Sequence, residues 1–203
     1  MWIIMPILLR RTGMIEDAHF LNYELDYSRT RLLASLNNLT DDQAKWRPSP
    51  KSNSITSILF HIARQDDFTI SIHLAPQTQL FISAGWADRM GLPKSADHAA
   101  AFAKTPDGSW PSELGWTFTS LEDPANKVTL KAILEYAEAT RQMTKRLLET
   151  ATPEMLGRPI EDGSPRHKGW DVAKHIGAFA MHESHHQGQI DYLKGLRVQL
   201  VPA

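Results

Sequence analysis

Four long segments of this 203-residue chain repeat apolar residues at helical spacing, and this pattern limits the fold more than any other feature. No stretch alternates apolar and polar residues convincingly enough to indicate a strand. The sequence therefore predicts an all-α fold, a four-helix bundle with one long crossover between helices two and three. The predicted helices run from about Ile15 to Asn37, Ser54 to Leu74, Leu130 to Thr150 and Trp170 to Leu196.

Short polar residues mark where several helices should begin. Ser54 and Thr129 precede the second and third helices and are natural N-caps. Thr40 and Gln43 can form a capping box in the first connection, and Pro153 suits the first turn of another short helix. Glycine commonly follows the last turn of a helix. The fourth helix should therefore end at or near Gly195.

The long crossover spans about residues 75–128 and holds three tryptophans. A connection of that length in a compact domain usually either carries function or wraps the core. Its segment SADHAAAFA predicts a short helix. Trp86 and Trp116 can reach the mouth of a site in the bundle or simply pack, and packing is the favoured reading.

Composition excludes several classes of protein. The net charge of −1 offers no basic surface for nucleic acid, so no nucleic-acid partner is expected. The N-terminal run MWIIMPILL is too short to span a bilayer, and its arginines follow the apolar run. Residues 1–13 are therefore an extension before a single domain, 14–203. No membrane partner and a cytoplasmic location are expected.

The chain has no cysteine, so a metal ion would need His, Asp or Glu ligands. The stretch MHESHHQGQI, residues 181–190, supplies the strongest pattern. His182 and His186 are four residues apart on one helix face and can chelate one ion. His185 can replace His186 but not easily join it. His175 lies about 10 Å further along the helix and is read as a core histidine or a support for the site.

A third ligand is needed, because catalytic zinc sites use three protein ligands and one open position. The segment HESHH also reads H-E-x-x-H, a zinc-protease signature, but the 17 residues after His186 contain no His or Glu. The third ligand should therefore come from upstream. His61 is the best candidate, because apolar neighbours direct it toward the bundle interior; the alternatives are His19, His73, His98 and His167.

Glu183 lies beside His182 and has two readings. It can act as a general base near metal-bound water, or it can be a solvated glutamate on the outer face of the helix. The second reading is favoured slightly.

Three stretches resemble the DinB-like (DinB/YfiT) superfamily of bacterial four-helix bundles. They are LTDDQAKWRPSPKSNSITSILFHIARQDD, GWADRMGLP and KGWDVAKHIGAFAMHESHHQGQIDYLKGLR, the last with the H-x-x-x-H-x-G-Q signature. The resemblance implies a divalent metal ion, zinc or nickel first, held by His61, His182 and His186. It also implies a homodimer. Within the signature, we expect Gly188 to permit close helix approach and Gln189 to be a packing or polar-network residue rather than a metal ligand.

The residues and the resemblance together leave three functions open. The first is a metal-dependent transferase or isomerase that uses a low-molecular-weight thiol on a small-molecule substrate. The second is a non-enzymatic, stress-associated metal-binding protein. The third is a metal-dependent hydrolase with Glu183 as catalytic base. Relatives often carry an acidic residue one turn after the histidine of helix two, where this chain has Gln65 followed by Asp66 and Asp67.

Overall fold

The computed structural model describes residues 15–50, 52–92, 127–163 and 165–201. The N-terminal extension 1–13, the segment SADHAAAFA, His98 and Trp116 lie outside these ranges. The division of the chain into extension and domain therefore stays a prediction.

Four long helices account for most of the described chain: α1 (Glu16–Ser35), α3 (Ile55–Thr69), α6 (Leu130–Glu149) and α8 (Val172–Leu200). In the described ranges, four short α-helices lie between them: α2 (Asp41–Lys45), α4 (Leu80–Ser83), α5 (Trp86–Met90) and α7 (Pro153–Leu156). No strand occurs in the described ranges, so the all-α prediction is confirmed. Nor is any helix there both long enough and apolar enough to cross a bilayer.

The predicted helix starts are confirmed by side-chain caps. The hydroxyl of Ser54 accepts a hydrogen bond from the Ser57 backbone N–H at 3.1 Å, and that of Thr129 accepts one from Ala132 at 3.2 Å. These hydroxyls satisfy N–H groups that have no partner within the helix. The capping box at the start of α2 also forms.

One helix changes type before its predicted end, and one predicted helix end is wrong. The helix that begins with α3 changes at Ile70–Leu74 into a π-helical turn, which closes with a 2.8 Å bond from Ala75 N–H to the Ile70 carbonyl. The predicted end of α8 at Gly195 is wrong, because the helix continues to Leu200. Glycine inside a helix costs only about 1 kcal/mol, and no proline follows before Pro202 to stop it.

The long helices contact one another in a closed ring: α1 packs on α8 and α6, and α3 packs on α6 and α8. Trp86, from the crossover, is buried against Tyr136 with ring centroids 5.6 Å apart. Its role in packing is therefore confirmed.

The buried apolar residues form two clusters. Each long helix contributes to both clusters, and between its two contributions it carries buried polar residues, which together we call the polar layer. On α1, for example, Leu21 and Leu25 belong to one cluster and Leu32 to the other, with Ser28 and Arg29 between. The corresponding buried polar residues on α3, α6 and α8 are Asp66, Arg141 and Glu183.

Candidate metal centre

Three imidazoles converge between α3 and α8. His182 Nε2 lies 3.0 Å from His61 Nε2 and 2.9 Å from His186 Nε2. The structure thus brings together the three residues that the sequence and the family resemblance proposed as ligands. They are called the histidine triad below.

Helix geometry explains this convergence. His182 and His186 lie one turn apart on the face of α8 that packs against α3. His61 stands on the facing side of α3, and its ring centroid lies 4.9 Å from each of the other two rings. Two packed helices therefore position all three side chains, without help from a loop.

The spacing fits a transition-metal ion. Nitrogen ligands about 2.05 Å from a tetrahedral ion are about 3.3 Å apart. The observed separations of 2.9 and 3.0 Å are a few tenths of an ångström shorter, which small side-chain rotations can adjust. One ligand atom from each residue lies within 4.8 Å of the others, and in the described part of the chain this is the only group of His, Asp or Glu that meets this condition.

Two of the three imidazoles are in the neutral form that binds metal. Burial is the main cause of the lowered pKa values of His61 and His186, and the pKa of His61 is lowered well below its usual value. Both rings are therefore neutral near pH 7, with a lone pair to donate.

Gln189 fixes the orientation of one ligand. The Nδ1–H of His186 donates to Gln189 Oε1 at 2.8 Å. Because a neutral imidazole has one N–H, this bond leaves Nε2 unprotonated and facing the other two histidines. The expectation that Gln189 is a polar-network residue is confirmed.

Gly188 does not have the role expected of it. A Cβ atom built on Gly188 meets nothing within 4 Å, so this glycine allows no close helix approach. The expectation is wrong because Gly188 is on the exposed side of α8.

Glu183 is not a solvated glutamate, and that reading is wrong. It is 0% exposed, since one step along the helix turns its side chain about 100° from His182 and into the bundle. One carboxylate oxygen accepts from Ser28 Oγ at 2.7 Å. The other accepts from Arg29 Nε at 2.6 Å and lies 2.8 Å from Arg141 Nη2.

Asp66 completes a group that we call the central charge cluster, together with Arg29, Arg141 and Glu183. Its carboxylate lies 3.8 Å from Arg141 Nη2. The cluster takes one residue from each long helix, and all four side chains are buried. Burial raises the pKa of Asp66 to about 7, with Arg141 opposing the rise and Glu183 adding to it.

Sequence reasoning missed this cluster, although a signal was present. Arg29 falls in register with the apolar Leu25 and Leu32, and Arg141 with Ala137 and Leu148, so both charges occupy positions where the pattern calls for apolar residues. A charge on the buried face of a helix usually has a charged partner inside the fold.

The other histidines in the described ranges are not members of the triad. His19 and His185 are exposed. His175 is 3% exposed, so its assignment to the core is confirmed, and it lies near His73 and His167 rather than the triad.

The fold and the site define an all-α protein whose two facing helices present three histidines that could hold one metal ion. The sequence model of the DinB superfamily matches residues 24–190, which is most of the chain, and the protein belongs to that superfamily. No functionally curated protein matches it.

A solved structure supports the fold. The crystal structure of the conserved protein of locus from Enterococcus faecalis is similar to this chain with a TM-score of 0.65 at 21% sequence identity. The match covers 90% of this chain and 97% of the other.

Proposed function

We propose that this protein binds a divalent metal ion through His61, His182 and His186 and uses it to transfer or isomerise a conjugate of a low-molecular-weight thiol. The convergence of the three Nε2 atoms carries the proposal. Zinc and nickel are the first candidates, because imidazole ligands suit both.

The ligand set supports thiol chemistry. Three neutral imidazoles leave the full charge of the ion uncompensated, and three protein ligands leave a coordination position open. A bound ion would supply positive charge that lowers the pKa of a coordinated thiol and so favours its thiolate near neutral pH. The triad is half-buried rather than sealed, which leaves access for a small molecule.

The surrounding residues hold the ligands in place. Gln189 orients His186 through its Nδ1–H. Glu183, next to His182 in α8, binds α1 through Ser28 and Arg29 and α6 through Arg141. These contacts tie the middle of α8, next to His182, to α1 and α6.

A hydrolase with Glu183 as base has less support. A general base must reach the proton that it removes and must have a free lone pair for it. The Glu183 carboxylate is buried and held by Ser28, Arg29 and Arg141. We therefore propose that Glu183 is a structural residue.

Cobalt substitution tests the proposed function. Co²⁺ is added to the apoprotein, and the visible spectrum is recorded before and after addition of bacillithiol, mycothiol or glutathione. A thiolate entering the coordination sphere should add an intense charge-transfer band in the near ultraviolet. The His182→Ala variant should lose more than about 100-fold in metal affinity, because loss of even a supporting residue costs 10- to 100-fold.

The exposed His185, three residues from His182 on the same helix, gives the matched control. His185→Ala should bind cobalt as the wild type does. If wild-type protein binds cobalt but no thiol changes the spectrum, the thiol step is wrong and a non-enzymatic metal-binding role is supported. If His182→Ala and His185→Ala bind cobalt equally well, the triad does not form the site.

A further inference from the structure

A carboxylate and three imidazoles lie together where the π-helical turn meets the start of α8. We call Asp162, His73, His167 and His175 the aspartate–histidine cluster. His167 Nδ1 lies 2.5 Å from Asp162 Oδ2, and His73 Nε2 lies 3.9 Å from the same oxygen. The ring of His175 lies 4.6 Å from that of His167 and 5.8 Å from that of His73, measured between centroids.

Three chain segments supply these side chains. His73 belongs to the π-helical turn that follows α3. Asp162 and His167 lie in the connection between α7 and α8, and His175 lies in the first turn of α8. The cluster is therefore a contact between the π-helical turn, this connection and the beginning of α8.

Backbone hydrogen bonds close the connection around the cluster. The Ile160 N–H donates to the Trp170 carbonyl at 2.9 Å, and the Val172 N–H donates to the Arg158 carbonyl at 3.1 Å. Arg158 also reaches the π-helical turn, where its Nη2 donates to the Leu74 carbonyl at 2.8 Å. Separation of the connection from the turn would break these bonds, so exchange of the Ile160 and Val172 amide hydrogens reports it.

The cluster can balance one positive charge. Each imidazole gains a positive charge on protonation, and Asp162 supplies one negative charge. Among the described residues, the charged groups that act on His175 are His167, His73 and Asp162. Protonation of a second imidazole would therefore place two like charges around a single carboxylate whose side chain is only 7% exposed.

The other charged side chains described on these segments have partners of their own or face solvent. Arg158 donates to the Leu74 carbonyl. Lys174 Nζ lies 3.1 Å from Asp171 Oδ2. The exposed side chains are Glu161 and Lys168. Asp162 is therefore the acid that acts on the buried rings.

His175 is poorly placed to accept a proton. It is 3% exposed, and the uncharged rings of Trp170 and Phe179 lie 5.5 and 6.3 Å from its own. Its buried Nδ1 makes no hydrogen bond with the described residues, and a protonated imidazole needs acceptors for both of its N–H groups. Burial, with added repulsion from His167 and His73, lowers the pKa of His175 to about 3.

We propose that the aspartate–histidine cluster is an acid-sensitive contact, which holds the α7–α8 connection on the π-helical turn at neutral pH and releases it below about pH 6. Release exposes the imidazoles to water, where each can take up a proton without a buried neighbour of like charge. The triad lies two turns further along α8, so acid would free the beginning of the helix that supplies two of its members. This proposal does not depend on the proposed function.

Proton linkage sets the size and sign of the effect. The pKa of His175 is about 3 in the closed contact and 6.5 as the ordinary value, so between these pH values release takes up one proton at this ring. The equilibrium constant for release should therefore rise about 10-fold for each pH unit of acidification in that window. Burial also lowers the pKa of His73, which adds to the rise. Above about pH 7 both states hold the same protons at these rings, and the dependence should disappear.

Hydrogen exchange tests the proposal. The amide exchange rates of Ile160 and Val172 in metal-free protein are followed by NMR between about pH 4.5 and 7.5. Each rate is divided by the intrinsic rate at the same pH, which gives the equilibrium constant for opening. In the wild type this constant should rise about 10-fold or more per pH unit below pH 6 and stay level above pH 7. A constant that does not change between pH 7 and 5 overturns the proposal.

Two matched variants locate the proton. His175→Phe keeps an aromatic ring that cannot be protonated, and it should remove about 10-fold per pH unit from the dependence. His185→Phe, at an exposed position of the same helix, is the control and should keep the wild-type dependence. Equal dependence in the two variants would show that His175 does not take up the proton, and it overturns the proposal.

A third variant covers the case in which His175→Phe fails to fold. Asp162→Asn keeps the size of the side chain and removes the negative charge, so no imidazolium in the cluster is balanced. Its opening constant should rise about 10-fold more per pH unit than that of the wild type below pH 6. An Asp162→Asn dependence no steeper than that of the wild type contradicts the charge balance on which the proposal rests.

An amide in the core separates local release from global unfolding. The Ile133 N–H, at the start of α6, donates to the Thr129 carbonyl, and Ile133 is 0% exposed. It should exchange more slowly than the amides of Ile160 and Val172 and should not follow their pH dependence. One common opening constant for all three amides would mean that acid unfolds the whole molecule, and it overturns a local contact.

Discussion

Single side chains in the polar layer have roles that their sequence neighbours do not indicate. Glu183 follows a proposed metal ligand, yet its contacts are with arginines on other helices. A buried charge that loses its partner is strongly destabilising, by about 3–5 kcal/mol. Glu183 should therefore affect folding more than chemistry.

Replacing Glu183 with glutamine should lower the free energy of unfolding by about 3 kcal/mol or more, because Arg29 and Arg141 lose their shared carboxylate. Urea unfolding followed by circular dichroism measures the change. Glu149→Gln, at the exposed end of α6, is the control and should change stability by less than about 0.5 kcal/mol. A Glu183→Gln variant as stable as the control contradicts a structural role for this carboxylate.

Asp66 should make stability depend on pH. Its pKa is about 7 in the folded protein and 3.8 as the ordinary value, so the folded state holds a proton that the unfolded state has released. The contribution of this group to stability is therefore greatest below about pH 4, is lost as pH rises from 4 through 7, and then levels off. The gap between the two pKa values corresponds to a loss of up to about 4 kcal/mol.

Asp66→Asn should remove this loss, because asparagine does not titrate. The unfolding free energies of wild type and variant, compared at pH 4, 6 and 8, should diverge in favour of the variant as pH rises. The comparison uses the change of unfolding free energy with pH, so any pH-independent effect of the new amide cancels. A difference that stays constant with pH would show that Asp66 ionises normally inside the bundle.

Gln189 should influence metal affinity without touching the ion. Gln189→Ala frees the His186 ring and removes the bond that selects its tautomer. Affinity should fall about 10- to 100-fold. Isothermal titration with Zn²⁺ measures this, with Gln187→Ala, which lies two residues away, as the control. Equal affinities in the two variants would exclude an orienting role for Gln189.

Two glycines in the second half of α8 neither allow close contact with another helix nor end the helix. Gly188 and Gly195 both lie inside the helix, and a Cβ on either meets nothing within 4 Å. A glycine that has neither role lowers the stability of the helix, because it raises the conformational entropy of the unfolded chain.

Gly188→Ala should stabilise the protein by about 0.5–1 kcal/mol and leave metal affinity unchanged. Thermal unfolding measures the first effect, and metal titration the second. Gly169→Ala is the contrasting control and should destabilise, because Gly169 has a φ of 77°, in the left-handed region. A destabilised Gly188→Ala variant would show that this position needs glycine for a reason absent from the structure described above.

The molecule as a whole should become more stable when the triad binds metal. An ion shared by His61 and His182 joins α3 to α8, and the unfolded chain does not hold these ligands together. At a free ion concentration 100 times Kd, the gain is about 2.7 kcal/mol, or roughly 5–11 °C in Tm for a chain of this size.

Differential scanning calorimetry with and without Zn²⁺ tests this gain. The His61→Ala variant should lose the rise in Tm. A rise that persists in that variant would mean that zinc stabilises the protein elsewhere. The expected homodimer also stays a prediction, and sedimentation equilibrium would test it.

Local pattern predicted where the helices lie and begin well, and how they end less well. Apolar spacing and the hydroxyls of Ser54 and Thr129 are short-range signals, and both were sufficient. The end of α8 was misplaced because glycine favours a helix end only weakly. The π-helical turn at Ile70–Leu74 was not anticipated, since an α-helix and a π-turn share nearly the same apolar spacing over five residues.

The sequence by itself determined four amphipathic helices and the pairing of His182 with His186, because these depend on residues within a few turns of one another. The apolar neighbours of His61 made it the best candidate for the third ligand, and the superfamily resemblance pointed to the same residue. Only the tertiary structure decided that Glu183 faces two arginines, that Asp66 is buried beside them, and that His175 lies near His73 and His167. Such contacts depend on how helices rotate and pack against each other, and no spacing along one helix encodes that rotation.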